Sequence, residues 1–258
     1  MNLLIQKDFT PEKYVKLCKA LKYSKKITYT MSNFLKNDKL SNNIIIIRHD
    51  VDIFPIRALK MAIIESKFDI QSTYYFRMRE KVYDEKIIIA IKNLGHEVGY
   101  HYETLADSKG NLDHALKLFS ENINRFNKLT KVETISMHGS SLSNHNNLDL
   151  WSNNNFKDFD LVGEAYLSID WNNFDYYTDA GGSWHSEANF RDRPVTDKKK
   201  VLAKNTDDII KIIFKNNNIC INIHPDRWNQ GIFWQIERVT QQIRNYAKLI
   251  LRMVKSSD

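Results

Sequence analysis

Four consecutive isoleucines, Ile44 to Ile47, are followed directly by the polar run Arg48-His49-Asp50-Val51-Asp52. An uninterrupted β-branched apolar run is typical of a strand buried on both faces of a parallel sheet. A strand of this kind presents its polar residues at its carboxyl end, which is the edge where α/β sheets and barrels build their active sites. The sequence therefore predicts an α/β fold with two carboxylates at that edge.

Predicted strands and helices alternate along most of the chain, a pattern that favours parallel βαβ units. Three further predicted strands are followed by a histidine, namely residues 97–100 before His101, residues 132–137 before His138, and Ile219–Ile223 before His224. If the strands are parallel, these histidines share one rim with Asp50 and Asp52. Asp, His and Glu side chains on one rim are ligands suited to a divalent ion such as Zn²⁺.

Structural interpretations of the same residues remain open at this point. Asp50 and Asp52 could pair with Arg48 and Arg57 in an ion network, and His224 could be a hydrogen-bonded core histidine. Trp171 and Trp184 could likewise be core aromatics.

The chain has 258 residues, of which 42% are hydrophobic, and this fits one barrel-sized domain over residues 1–258. Within that domain, residues 1–40 are predicted to form an N-terminal helical addition, residues 140–201 long active-site loops, and residues 232–255 a C-terminal helix. We find no signal-peptide pattern and no apolar stretch of bilayer length, and the two cysteines are far apart, so we expect a cytoplasmic protein.

The net charge of +7 is dispersed and indicates a preference for anionic ligands, and no nucleic-acid-binding motif is present. The C-terminal helix has an apolar face and a basic face. The apolar residues are Ile236, Val239, Ile243, Ala247 and Ile250, and the basic ones are Arg238, Arg244, Lys248, Arg252 and Lys255. Such a helix either covers the barrel or makes peripheral contact with an anionic membrane.

Five motifs carry a family resemblance. In chain order they are RHDVD, GHEVGYHYE at residues 95–103, MHGS at 137–140, YYTDAGGSW at 176–184 and INIHPDRW at 221–228. Over roughly residues 44–228 the chain resembles the polysaccharide deacetylase superfamily, the NodB-homology enzymes of carbohydrate esterase family 4. The resemblance is greatest to a cytoplasmic branch associated with bacterial surface-polysaccharide biosynthesis. It implies a deformed (β/α)7 barrel with a divalent metal, most commonly zinc, at the C-terminal rim.

The resemblance also implies roles for single residues. Asp50 would be the catalytic base and Asp52 a metal ligand, although the reverse assignment stays open. His101 would be a second ligand. The family has another histidine four residues further on, where this chain has Leu105, and Glu103 is the expected substitute because it shares a strand face with His101. Further candidates for this ligand are His96, Asp107 and His138.

By the same resemblance His224 would be the general acid, and Asp179 would orient the base. Substrate contacts are expected from His138, Ser140, Trp184, Arg77 and Arg191. The two arginines either form structural salt bridges or hold a carboxylate or phosphate bidentately.

The activity implied is a metal-dependent hydrolase that removes an acetyl or formyl group from the amide of an aminosugar. Its substrate would be a nucleotide-linked or lipid-linked precursor. Because Leu105 cannot bind a metal, a catalytically inactive scaffold that binds a glycan precursor is the alternative. A different C–N hydrolysis or transfer on a surface sugar is a third possibility.

Overall fold

The computed structural model describes residues 7–37, 43–140, 142–186, 189–198, 202–215 and 217–255. Residues 1–6 and 38–40 of the predicted N-terminal addition lie outside this description. The same holds for residues 141, 187–188 and 199–201 of the predicted loop region.

One sheet of parallel strands organises the described chain. The strands are β1 (Ile27–Tyr29), β2 (Ile44–Val51), β3 (Thr73–Phe76), β4 (Glu97–Tyr102), β5 (Thr134–Met137), β6 (Gly163–Glu164), β7 (Asp175–Thr178) and β8 (Ile219–Ile223). Seven of them follow the order β6-β5-β4-β3-β2-β8-β7, and β1 pairs with β2 beside this path. Every pairing in the described residues is parallel. The sheet is a curled half-barrel, so the predicted α/β class and deformed seven-stranded barrel are confirmed.

Eight α-helices connect or flank these strands in the described part of the chain. They are α1 (Pro11–Tyr23), α2 (Met31–Leu35), α3 (Pro55–Ser66), α4 (Glu85–Asn93), α5 (Thr104–Asp107), α6 (Leu112–Asn127), α7 (Thr206–Ile213) and α8 (Gly231–Lys255). Local sequence explains where several of them begin. The Thr10 hydroxyl accepts a hydrogen bond from the Lys13 amide at the start of α1, and the Asp84 carboxylate caps α4 in the same way.

The isoleucine strand β2 is longer than predicted, because it continues through Val51 and is buried along its whole length. Alternation divides its side chains between two layers. Ile44 and Ile46 pack inside the barrel, whereas Ile45 and Ile47 pack against the outer helices. The charged residues keep this alternation, so Asp50 points into the barrel and His49 points out toward α1 and α3.

The N-terminal segment contributes to the sheet as well as to the helical layer. β1 pairs with the first half of β2, with Ile27 opposite Ile44, a strand that the sequence pattern did not indicate. The segment between β5 and α7 contains two short strands and three 3-10 helices, among them Asn147–Trp151 and Trp171–Asn173. Long connections of this kind bring polar side chains back over the rim.

Helix α8 lies against the body through its polar side, contrary to the expectation that its apolar face covers the barrel. Trp234 and Gln241 are buried, whereas Ile236, Ile243 and Ile250 are each more than half exposed. None of the helices in the described ranges combines the length and hydropathy that a bilayer crossing requires.

Candidate active site

Five strand ends deliver polar side chains to the C-terminal rim. Asp52 follows β2, His101 lies near the end of β4, His138 follows β5, Asp179 follows β7 and His224 follows β8. All of them except Asp179 line a cavity of about 610 Å³, measured out to its open mouth. Its lining includes Asp50, Asp52, His101, His138, Asp192 and His224.

Two histidine nitrogens point at one carboxylate. The Nε2 atoms of His101 and His138 lie 3.5 Å and 3.8 Å from Oδ1 of Asp52. That oxygen is buried and has no hydrogen-bond partner. Among the residues that the structure describes, no three His, Cys, Asp or Glu side chains lie close enough together to hold a metal ion.

The tautomers of both histidines suit a metal. His101 Nδ1 donates to the Ser136 carbonyl at 2.9 Å, and His138 Nδ1 donates to the Glu103 carboxylate at 2.8 Å. Each ring therefore keeps the lone pair of Nε2 free to bind an ion, and each has the supporting acceptor that metal-binding histidines commonly have. The buried, unpartnered oxygen and these two nitrogens are donors of the types that bind zinc.

Electrostatics keep Asp52 ionised. Burial alone would raise the pKa of this carboxyl, but His138, His101 and His224 together hold the pKa well below its usual range. The pKa of His101 is raised, because Asp50 and Asp52 outweigh the opposing effect of burial.

The Glu103 carboxylate, expected as a metal ligand, is engaged by two arginines and by His138. Its carboxylate accepts hydrogen bonds from Arg77 at 2.8 Å, from Arg79 at 2.7 Å and from His138. Although burial works in the other direction, His138 and the arginines lower the pKa of Glu103 far below its ordinary value. Strand β4 ends at Tyr102, so Glu103 lies outside the alternation that the prediction assumed.

The other suggested ligands are also away from Asp52, apart from His138. His96 precedes β4, at the opposite end of the barrel from the rim, and donates to the Ala62 carbonyl. Asp107 pairs with Arg79 at 2.6 Å. Leu105, which stands where the resemblance would place a histidine, is buried in the hydrophobic core.

Asp50 is held by two donors on one oxygen only. Its Oδ2 accepts hydrogen bonds from Asn222 at 2.8 Å and from Arg48 at 3.1 Å. Its Oδ1 is buried without a partner. Nε2 of His101 and Nε2 of His224 lie 3.9 Å and 4.0 Å from Oδ2. This arrangement leaves one carboxylate oxygen available to accept a proton beside the histidine–Asp52 cluster.

His224 is fixed by Asp179. The Asp179 carboxylate accepts the backbone amide of His224 at 2.9 Å and its Nδ1–H at 2.7 Å, while its second oxygen accepts from Trp228 Nε1. Burial lowers the pKa of His224, but Asp179, Asp52 and Asp50 outweigh it and raise the pKa to about 10. The imidazole is therefore protonated at neutral pH, with Nε2–H directed into the cavity.

A buried arginine, Arg48, and an aspartate, Asp192, complete the floor of the cavity, and no sequence pattern distinguishes the aspartate. Asp192 accepts hydrogen bonds from Tyr166, Tyr176 and Thr178, and its Oδ2 lies 4.0 Å from His224 Nε2. Arg48 is fully buried, donates to Tyr166 and lies 3.6 Å from Asp192. Asp192 sits between two arginines in a loop without a strand or helix pattern, so only its acidic character could have suggested a role.

One of the two arginines suggested as partners of the aspartates pairs as predicted. Arg48 pairs with Asp50, whereas Arg57 pairs with Glu237 on α8 at 2.6 Å. His49, from the same charged run, belongs to a separate buried network behind the sheet. It donates to Glu65 at 2.9 Å, and despite burial the pKa of Glu65 is lowered to about 2, chiefly by His49.

Three of the five expected substrate contacts are elsewhere or engaged. Trp184 is 2% exposed, packs against Phe9 and Trp228, and donates to Thr206, so it is a core residue and not a wall of the cavity. Arg77 is engaged with Glu103. Arg191 reaches the cavity lining, but its guanidinium donates to the backbone carbonyls of Gly139, Ser140, Ser143 and His145.

The remaining two, His138 and Ser140, do line the cavity. Ser140 has a φ of 40°, in the left-handed region that few non-glycine residues adopt. Its hydroxyl lies 3.0 Å from His138 Nδ1 and accepts from Asn147. Arg191 and Asn147 together thus fix the loop that follows β5, and with it the position of His138.

Comparisons with known proteins yield little. No protein-family model matches the sequence, and no curated protein matches it. Among solved structures, a CE4 esterase from Streptococcus mutans is similar over 90% of this chain and 90% of its own, at 12% identity and a TM-score of 0.47. A likeness at this TM-score supports no assignment of activity.

Proposed function

We propose that this chain is a metal-dependent amide hydrolase that removes an acetyl or formyl group from an aminosugar. The observation that carries the proposal is the convergence of His101 and His138 on the unpartnered oxygen of Asp52, in one cavity with Asp50 and His224. A bound divalent ion such as zinc would act as a Lewis acid on the carbonyl and increase the acidity of water.

The two aspartates divide the work in this proposal. Asp52 is the ligand, because its free oxygen faces both histidine nitrogens. Asp50 is the base, because Arg48 and Asn222 hold one of its oxygens and leave the other free to take a proton from the attacking water. The water oxygen forms the new bond to the acyl carbon.

His224 supplies the second proton transfer. Its protonated Nε2 lies at the cavity, 4.0 Å from Asp50 Oδ2, and it gives its proton to the sugar nitrogen as the C–N bond breaks. The products are a carboxylic acid and a free amine. Asp50 has gained one proton and His224 has lost one, so exchange between them or with solvent restores both groups.

A cationic side of the cavity supports an anionic substrate. Arg227 and Lys248 line it together with the acidic floor. Burial, with Arg227 and Arg244 nearby, lowers the pKa of Lys248, and none of the described acidic side chains lies within ion-pair distance of its ammonium group. A phosphate would relieve this repulsion, so the proposed substrate is a nucleotide-linked or lipid-linked aminosugar. Such carriers belong to cytoplasmic stages of surface-polysaccharide biosynthesis, where we place the reaction.

The alternative of an inactive scaffold was motivated by Leu105. In our proposal His138, whose Nε2 lies 3.8 Å from Asp52 Oδ1, supplies the imidazole that position 105 lacks.

Metal content and acyl release together test the proposal. We expect the purified chain to bind about one zinc per molecule. Asp52→Ala, His101→Ala and His138→Ala should each lose the metal and the release of acetate or formate from aminosugar phosphates. His114→Ala is the control, since His114 is an exposed residue on α6 and should retain both. Retention of metal and turnover in the three rim variants would refute the assignment.

A further inference from the structure

Helix α8 is amphipathic, but its polar face is turned toward the body and its apolar face toward solvent, the reverse of an ordinary surface helix. The residues turned toward the body include Glu237, Arg238, Gln241 and Asn245, all of them polar. The outward residues include a continuous apolar stripe. Its members and exposed fractions are Phe233 67%, Ile236 55%, Val239 57%, Ile243 64%, Tyr246 69% and Ile250 57%.

Specific contacts hold the polar face in place, so the orientation of the helix is fixed. Glu237 pairs with Arg57, and Gln241 accepts from Arg227. Asn245 donates to the Gly181 carbonyl at 2.8 Å, and Arg238 donates to the Gly182 carbonyl. A rotation that buried the apolar stripe would expose all four partners and break these bonds.

The spacing of the stripe is that of a helix–helix seam. From Ile236 the apolar positions recur at intervals of 3, 4, 3 and 4 residues, through Val239, Ile243, Tyr246 and Ile250. A strict alternation of three and four keeps one narrow line facing a single partner helix. The flanking positions carry no charge, since they are Thr240, Gln242, Ala247 and Leu249. Uncharged flanks place no like-charge repulsion between two identical helices.

The exposed area matches what a dimer requires. Six apolar side chains, at on the order of 100 Å² each, present about 600 Å² along the helix. This is at the upper limit of the largest apolar patch on ordinary monomers, about 300–600 Å². Two such stripes packed together would bury about 1,200 Å², at the lower end of stable protein interfaces.

We propose that α8 pairs with α8 of a second copy of this chain along this stripe, forming a two-fold symmetric dimer. Ile243 is the middle residue of the five regularly spaced positions. A two-fold axis therefore brings Ile243 next to its own copy, whether the two helices run parallel or antiparallel.

An anionic membrane fits the same surface less well. An interfacial helix presents Lys and Arg to lipid headgroups at the borders of its apolar face. Here Arg238 is bonded to Gly182 and lies over the Phe9 ring, and Lys248 lines the cavity. Both side chains are therefore turned away from the stripe. The third basic side chain described on this helix, Arg244, lines a separate groove with Glu237 and Gln241.

Light scattering and sedimentation measure the proposed pairing directly. At about 100 μM, wild-type protein should have twice the 30.4 kDa mass of one chain. Ile243→Glu should reduce the measured mass to that of one chain without loss of helical content, because the residue is exposed in the monomer. Ile89→Glu is the matched control, an exposed isoleucine on α4 that should leave the mass doubled.

Cysteine cross-linking keeps the test decisive if Ile243→Glu proves unstable. The native Cys18 and Cys220 are buried and unpaired, so an introduced surface thiol reacts alone. Ile243→Cys should form an interchain disulfide under mild oxidation, and Ile89→Cys should not. A wild-type mass of one chain at this concentration, with no cross-link through position 243, would overturn the proposal. So would a monomer that co-floats with phosphatidylserine vesicles, which would identify the stripe as a lipid contact.

Discussion

Replacement of Asp179 by asparagine tests the general acid through the pH dependence of turnover. Asp179 accepts two hydrogen bonds from His224 and is the foremost cause that raises the pKa of that imidazole to about 10. Asparagine keeps an oxygen for the Nδ1–H and removes the charge. Because a neighbouring opposite charge shifts a pKa by about 1 to 3 units, the pKa of His224 should fall to about 7–9 in this variant.

The size of the effect follows from the fraction of protonated His224. With a pKa of about 10, roughly nine-tenths of the imidazole is protonated at about pH 9, whereas with a pKa of about 8 only roughly one-tenth is. The variant should therefore lose about tenfold in turnover near pH 9 and almost nothing near pH 6.

A raised pKa also means that the charged His224–Asp179 pair stabilises the fold below about pH 6.5 and that this stabilisation is lost as pH rises toward about 10.

The assay is kcat for acyl release from an aminosugar phosphate across about pH 6 to 10, with zinc held saturating. Asp175→Asn is the matched control, since Asp175 lies at the start of the same strand and pairs with Lys198 away from the rim. Its pH profile should coincide with that of the wild type. A loss of equal size at every pH, or an unmoved alkaline limb in Asp179→Asn, would contradict the role of His224 as acid.

Three further changes have separate readouts. Glu103→Gln should weaken zinc affinity by about 10- to 100-fold, because Glu103 orients His138, and competition with a chelator measures this. Lys248→Ala should raise KM about tenfold for a phosphate-linked substrate and leave KM for the neutral sugar unchanged. An equal increase in both KM values would show that Lys248 does not contact the phosphate. Trp184→Ala should lower the free energy of unfolding by about 3–5 kcal/mol in denaturant titrations, because its ring is buried in the core. A change in KM without a change in stability would instead indicate that Trp184 contacts the substrate.

The fold and the strand ends of the site were predictable because their signals are local. The isoleucine run fixes β2, and the polar residues after β5 and β8 lie where the prediction put them, with His138 and His224 at the rim. Parallel pairing then brings these ends together, because all carboxyl ends of such a sheet share one edge.

What could not be predicted depends on contacts distant in sequence. The strand β4 ends one residue before Glu103, so period-two reasoning placed this carboxylate on the wrong face, and its arginine partners lie about 25 positions earlier. Asp192 reaches Arg48 from a loop that has no periodicity. Trp184 lies beside rim residues in sequence but packs against Phe9 from the N-terminal segment.

A zinc titration of metal-free protein tests the central claim most directly, with acetate or formate release from an aminosugar phosphate as the readout. We expect turnover to be absent without metal, to rise with added zinc and to saturate at about one equivalent per chain. Asp52→Ala should stay inactive at every zinc concentration. Turnover that is independent of metal, or a fully zinc-loaded wild-type chain that releases no acyl group from any aminosugar precursor, would contradict the account.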